Sequence, residues 1–224
     1  GAGIEIDDEM ITDFFGEEIT VSGLLTATDM QEQLHAVFSR MERKLQLKLY
    51  LDNRPVSLEL EQFMTALANL SDKLTVEIAD RNAGKMDAPC VKVCQMDGKE
   101  TGLAFHGVPS GHEFTSFVLG LYNAAGPGQS IGVDTKQRIA AIPNPVNMKI
   151  LVSLSCTMCP DLVVAAQRIA AENPRVKAHV FDIHHFEELR ARYHVMSVPC
   201  LVINEDDVSF GKKNIEQILS LICK

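Results

Sequence analysis

The sequence predicts an α/β protein made of two copies of one unit. Three observations carry this reading. Short apolar or alternating runs mark strands, apolar residues stepping by three and four mark helices, and the two kinds alternate along the chain. Most tellingly, the order strand, helix, strand, Pro-led strand, hairpin, strand, helix occurs twice in the 224 residues.

Residues 4–27 are acidic and without clear period, so residues 1–28 read as a linker or added arm. Gly1-Ala2-Gly3 reads as a cloning remnant, which leaves room for a longer natural chain. The first unit is read over 29–128. Asp29 is an N-cap candidate for a helix whose apolar positions are Leu34, Val37, Phe38, Met41 and Leu45. Leu45 to Leu51 alternates strictly and predicts a half-buried strand. The polar turn Asp52-Asn53-Arg54-Pro55 leads into a helix with the stripe Leu60, Phe63, Met64, Leu67 and Leu70. A strand around Leu74–Ile78 follows, then the loop Arg81–Ala88 and a strand, Cys90–Cys94, led by Pro89. Asp97-Gly98 is a hairpin turn with Gly102–His106 returning, and Gly111-His112-Glu113-Phe114-Thr115-Ser116 opens a helix that runs out near Gly126-Pro127-Gly128.

Residues 129–147 read as a connector, with a helix-like Asp134–Ile142 closed by Pro143-Asn144-Pro145. The second unit, 148–224, repeats the order. Met148–Leu154 is a strand, Asp161–Glu172 a helix, Val176–Asp182 a strand and Phe186–Tyr193 a short helix. Pro199 leads the strand Cys200–Ile203, Asn204–Asp207 turns, Val208–Phe210 returns, and Ile215–Ile222 closes the chain as a helix.

Composition sets the outer bounds. With 46% hydrophobic and 23% charged residues the chain reads as globular, and a formal charge of −9 without a Lys/Arg-rich face argues against nucleic acid. No apolar run reaches the length of a membrane span, and the N-terminus lacks the build of a signal peptide. The six cysteines are irregularly spaced, which is not a disulfide framework. A cytoplasmic protein with protein partners is therefore expected.

The chemistry gathers at Cys156-Thr157-Met158-Cys159, where a strand turns straight into a helix. Such a turn puts the first sulfur at an electropositive helix N-terminus, where a thiolate is favoured. Two cysteines at this spacing can also close a disulfide, so the motif can take up and release two electrons without a metal. The alternative is half of a zinc site; it would need a second ligand pair, and none is evident. Cys156 is the expected nucleophile and Cys159, further into the helix, the resolving thiol. Pro199 is a candidate cis proline, against the alternative of an ordinary trans proline opening an edge strand.

The other candidates carry less. Cys90 and Cys94 share a strand face at about 13 Å, beyond disulfide reach, and read as core thiols. Cys200 is either a third redox sulfur or a small buried residue, Cys223 a bystander at the chain end. Adjacent His184 and His185 point apart more often than they chelate, and His112 is expected to cap or orient its helix.

The runs Ser153-Leu154-Ser155-Cys156-x-x-Cys159-Pro160-Asp161, Met196-Ser197-Val198-Pro199 and Gly111-His112-Glu113-Phe114-Thr115-Ser116 resemble the N-terminal domain of the bacterial alkyl hydroperoxide reductase flavoprotein subunit, over about Asp29–Ile222. That resemblance implies two tandem thioredoxin-like units packed as one, with a single dithiol in the second unit. It implies a thiol-disulfide oxidoreductase that relays electrons from a flavin disulfide reductase domain to a peroxiredoxin-type peroxidase, and a cis Pro199 facing the dithiol. No Gly-x-Gly-x-x-Gly fingerprint occurs here, so no cofactor is expected in this chain; FAD and NAD(P)H belong on a partner or fused domain. The family also has an acidic residue at the end of the second strand of its first unit. Ile78 stands there, with Glu77 and Asp80 nearby, so that role is not carried over. The rival from another class is a non-catalytic interaction module, which would not need both Cys156 and Cys159.

Overall fold

A single twisted sheet of eight strands runs through both halves of the chain, in the order β2-β1-β3-β4-β6-β5-β7-β8. The computed structural model describes residues 28–84 and 87–224, excluding the side chains of residues 28 and 29. The expected arm, apart from its last residue, lies outside them. The first half comprises α1 (Thr28–Ser39), β1 (Leu45–Tyr50), α2 (Pro55–Ala68), β2 (Leu74–Asp80), β3 (Cys90–Gln95), β4 (Glu100–His106), a 3-10 turn (Gly111–Glu113) and α3 (Phe114–Ala125). The stretch read as a connector holds α4 (Val133–Ala140). The second half comprises β5 (Val146–Val152), α5 (Cys159–Glu172), β6 (Val176–Asp182), a 3-10 turn (Ile183–His185), α6 (Glu188–Arg192), β7 (Cys200–Ile203), β8 (Asp207–Phe210) and α7 (Ile215–Ile222).

Both halves share one topology. β1 pairs parallel with β2 and antiparallel with β3, which pairs antiparallel with β4; β5, β6, β7 and β8 repeat these relations in the same sequence. The units then fuse edge to edge, with β4 pairing parallel with β6 from Leu103 opposite Ala178 to His106 opposite Phe181. Fusion hides two edges that would otherwise expose a row of unpaired backbone groups.

Three local readings are corrected. Asp29 lies inside α1 rather than capping it. β5 starts at Val146 and stops at Val152, two residues earlier at each end than expected. α5 begins at Cys159, not Asp161, with Pro160 in its first turn. The first-turn N–H groups of a helix have no partner within it, so Pro160 loses nothing there and the helix extends back to the cysteine.

The core follows the periodicities. Leu45, Leu47 and Leu49 of β1 are fully buried while the residues between them are partly exposed. α5 buries Leu162, Val163, Ala166, Ile169 and Ala170, and α3 is buried throughout because α5 packs across it. Gln167 Nε2 of α5 donates to Ser116 O of α3 at 2.8 Å, so the contact between halves is polar as well as apolar.

Gly102 is what the sheet junction demands at its entrance. It has φ +91°, and a Cβ there would stand 2.6 Å from the carbonyl oxygen of Val176 on β6. Gly102→Ala is expected to cost about 2–4 kcal/mol, from left-handed backbone strain plus overpacking against backbone. Urea unfolding measures it; a loss under about 0.5 kcal/mol, the range of an ordinary surface change, would show that the junction yields.

Candidate functional site

β5 delivers the chain to the open end of the sheet, and Ser153-Leu154-Ser155 turns it into α5. Cys156 N–H donates to Ser153 O at 3.0 Å, which closes this turn. Cys156 is half-buried, whereas Cys159, the first residue of α5, is fully buried. The two are joined as a disulfide with Cα atoms 5.6 Å apart. Cys159 therefore lies at the helix start rather than a turn inside it; its shielding comes from core packing. Met158, the N-cap, offers no side-chain hydrogen bond, so the positive end of α5 is left facing the sulfurs.

Pro199 closes the site from the other side. Its bond with Val198 is cis, it is buried, and its carbonyl accepts from Gly211 N–H at 3.0 Å. The next residue, Cys200, pairs with Leu151, one residue before the end of β5. This register carries Pro199 to the end of β5, close to the dithiol turn. Cys200 itself is fully buried, and burial pushes its thiol up to about 11. Cys90 and Cys94 are likewise free and fully buried, with the Cys90 thiol pushed by burial up to about 12.

The first half contributes a group that sequence reasoning missed. Gly111 has φ +57°, and a Cβ there would stand 2.8 Å from Leu154 O; the same carbonyl accepts from His112 N–H at 3.0 Å. The 3-10 turn thus sits against the dithiol loop, two residues from Cys156. Its last residue, Glu113, is fully buried; Ser116 donates to one carboxyl oxygen, while Oε1 has no hydrogen-bond partner. Burial pushes Glu113 up to about 8, with the Ser116 hydrogen bond opposing the rise and the Asp182 charge adding to it. A buried acid whose carboxyl burial holds protonated, on a turn packed against the dithiol loop, is suited to exchanging protons with the dithiol. The sequence held one signal: a lone Glu opening a helix that carries no other charge.

The position near Ile78 does not serve. β2 is the outer edge strand, five strands from β5, or roughly 24 Å at about 4.8 Å per strand, so Glu77 and Asp80 are remote from the cysteines. In the first half, Arg54 occupies the helix start that corresponds to the dithiol. It donates to His185 O at 2.9 Å and to Ala88 O at 2.6 Å, linking the halves. The His184 backbone N–H donates to Asp182 Oδ1, and His185 Nε2 is 3.9 Å from Oδ2. His112 acts here through its backbone. Among the described residues no helix is long and apolar enough to cross a membrane.

Fold and cysteine pair together define a thioredoxin-fold thiol-disulfide oxidoreductase. A family model described as a thioredoxin domain matches residues 146–222. Two solved structures of the alkyl hydroperoxide reductase AhpF from Enterococcus faecalis are similar over nearly their whole chains. One is a cysteine variant (36% identity, TM-score 0.81, 87% of this chain and 97% of that one), the other the N-terminal domain alone (36%, 0.80, 87% and 98%). The chain belongs to the family of the N-terminal domain of AhpF. The alkyl hydroperoxide reductase AhpF of Escherichia coli is 30% identical over 195 residues and that of Pseudomonas aeruginosa 29% over 194. This chain spans only 37% and 36% of their lengths. A protein disulfide oxidoreductase from Aeropyrum pernix shares the fold at 18% identity and TM-score 0.76, with 92% of this chain and 94% of that one covered.

Proposed function

We propose that this chain is a dithiol–disulfide electron relay. It is reduced by a flavin disulfide reductase domain carrying FAD and NAD(P)H, fused to it or separate, and it reduces a peroxiredoxin-type peroxidase in the cytoplasm. The observation that carries the reading is the asymmetry of the cysteine pair: one cysteine partly exposed in the turn before an uncapped helix start, the other fully buried as the first residue of that helix. Cys156 is the attacking sulfur, Cys159 resolves the mixed disulfide, and Pro199 shapes the groove wall that a partner segment meets. Glu113 takes or gives the proton that accompanies each half-reaction.

In the direction of peroxide reduction, Cys156 thiolate attacks a sulfur of the partner disulfide and displaces the other as thiolate. Cys159 then attacks Cys156 Sγ, releasing the reduced partner and closing the internal disulfide. Two electrons and two protons leave the relay. Residues 148–224 form the redox unit on this reading, 29–128 a scaffold that supplies Glu113, and 129–147 the connector between them, after the arm 1–28.

The test is reconstitution of the chain with NADH, a flavin disulfide reductase, a peroxiredoxin and a hydroperoxide. NADH alone is expected to leave Cys156–Cys159 oxidised, the reductase to open it, and the full mixture to consume peroxide only with both cysteines present. Equal turnover with a Cys156→Ser/Cys159→Ser variant would remove the relay and leave a binding module.

A further inference from the structure

At Ser116 one hydroxyl faces two acceptors. The residue lies in the first turn of α3 and is fully buried; its Oγ is 2.9 Å from Glu113 O and within hydrogen-bond distance of Glu113 Oε2. A serine hydroxyl carries one proton, so it donates fully to one of these oxygens at a time. The other carboxyl oxygen, Oε1, is buried and has no hydrogen-bond partner among the described residues.

Ser116 is held in place from α5. Gln167 Nε2 donates to Ser116 O at 2.8 Å, and Gly120 makes room for that side chain, since a Cβ there would stand 2.8 Å from Gln167 Oε1. With its backbone fixed in this way, the hydroxyl changes acceptor by rotating about its own C–O bond.

The titratable groups that face Glu113 are Asp182 from the end of β6, with His184 and His185 beyond it, and the dithiol, whose loop meets the 3-10 turn at Leu154 O. Asp182 disfavours a second negative charge, and α2 meets this end of α3 with Phe63 edge-on against Phe114. Among the described residues, the donor to the Glu113 carboxyl is the Ser116 hydroxyl.

We propose that Ser116 is the positioning residue that lets Glu113 change charge while buried. Its hydroxyl bonds Glu113 O while the carboxyl is neutral, turns to Oε2 when the proton leaves, and so keeps Oε1 free to exchange that proton with the dithiol. The inference rests on the relay reading above. In the exchange the Oε1–H bond breaks and an S–H bond forms at a thiolate of the dithiol, or the reverse; no electron moves, and Ser116 keeps its own proton throughout. A hydrogen bond to a carboxylate is roughly twice as strong as one between neutral groups, so the turn of the hydroxyl favours the ionised form.

The experiment follows the Glu113 carboxyl by infrared difference spectroscopy of the disulfide form, in which Cys156 and Cys159 do not titrate, with Glu113→Gln to assign the band. The parent is expected to titrate near the raised value of about 8. Ser116→Ala removes the hydroxyl and should move the midpoint up by about one unit or more, the worth of a hydrogen bond to a charged group. Ser116→Gly removes the same hydroxyl and should shift likewise, whereas Ser116→Thr keeps it and should restore the parent midpoint. Transfer from the dithiol form to an aromatic small-molecule disulfide, followed over about pH 6–10, should shift its profile by the same amount in both deletions. A loss of packing alone would slow transfer without moving either midpoint. Unmoved midpoints in Ser116→Ala and Ser116→Gly, or a shift in Ser116→Thr as large as in Ser116→Ala, would overturn the proposal. A parent in which Glu113 does not titrate would instead remove the acid from the relay, and a parent that transfers nothing to the small disulfide would overturn the relay reading itself.

Discussion

Cys156→Ser is expected to abolish transfer to a protein disulfide, lowering the rate by roughly a thousandfold or more, because no other described sulfur near the site can attack. Cys159 is fully buried, and so is Cys200, whose thiol burial holds at about 11. Cys159→Ser should behave differently. Cys156 remains half-exposed and can still attack, but nothing displaces it from the partner, so a mixed disulfide accumulates. Non-reducing electrophoresis and intact mass after mixing each variant with an oxidised peroxiredoxin give the answer. Trapping by Cys156→Ser and none by Cys159→Ser would reverse the two roles.

Stability is expected to peak near pH 6.5, from buried groups at the junction of the two halves. His106 is buried where β4 meets β6, its Nδ1 2.7 Å from Asp87 O and its Nε2 3.2 Å from His179 Nδ1. While His106 is neutral and its Nδ1–H donates to that carbonyl, its Nε2 accepts from His179 Nδ1–H. Burial, reinforced by His179, lowers His106 to about 3, and His179 is lowered by burial and by Lys92 and Lys177 to about 4. Below an unfolded value near 6.5 the unfolded chain takes up protons that the native state refuses, so these histidines remove stability as pH falls. Glu113 acts in the other direction. Its native value, raised to about 8, means that the native state holds a proton which the unfolded chain has released above about 4.5, so its contribution is lost as pH rises.

Between about 4.5 and 6.5 two histidines oppose one glutamate, and stability rises with pH. From 6.5 to 8 the two histidines no longer contribute, and Glu113 lowers stability by about 2 kcal/mol at 1.36 kcal/mol per unit. Urea unfolding of the disulfide form across pH 4.5–8 measures this curve. Glu113→Gln should flatten the limb above 6.5, and His106→Gln should reduce the slope below it. An unaltered alkaline limb in Glu113→Gln would mean that Glu113 is ionised in the native protein.

Much of this fold could be read from the chain because its signals are local. The alternation of Leu45, Leu47 and Leu49 and the repeated Pro-led hairpins reflect which face each element buries, and the dithiol is two residues at a fixed spacing. What was missed depends on contacts between distant parts. Nothing in Glu100–His106 announces that β4 pairs with β6, because an exposed edge and a shared edge have similar composition; Gly102 is explained only by the Val176 carbonyl against it. Glu113 was hidden for the same reason: a glutamate ahead of a helix reads as a favourable first-turn charge, and only packing against α5 and the dithiol loop makes it a buried acid. No acidic role was carried to Ile78, and its strand lies at the far edge of the sheet.

One redox couple carries the chemistry of this chain, and differential alkylation tests it most directly. The protein is equilibrated in a graded series of dithiol to disulfide ratios, quenched, labelled with one reagent before reduction and another after, and mapped by mass. A single two-electron transition is expected, confined to Cys156 and Cys159, with Cys90, Cys94, Cys200 and Cys223 thiols throughout. A transition that included Cys200 or any other cysteine, or no reversible transition at Cys156–Cys159, would contradict it.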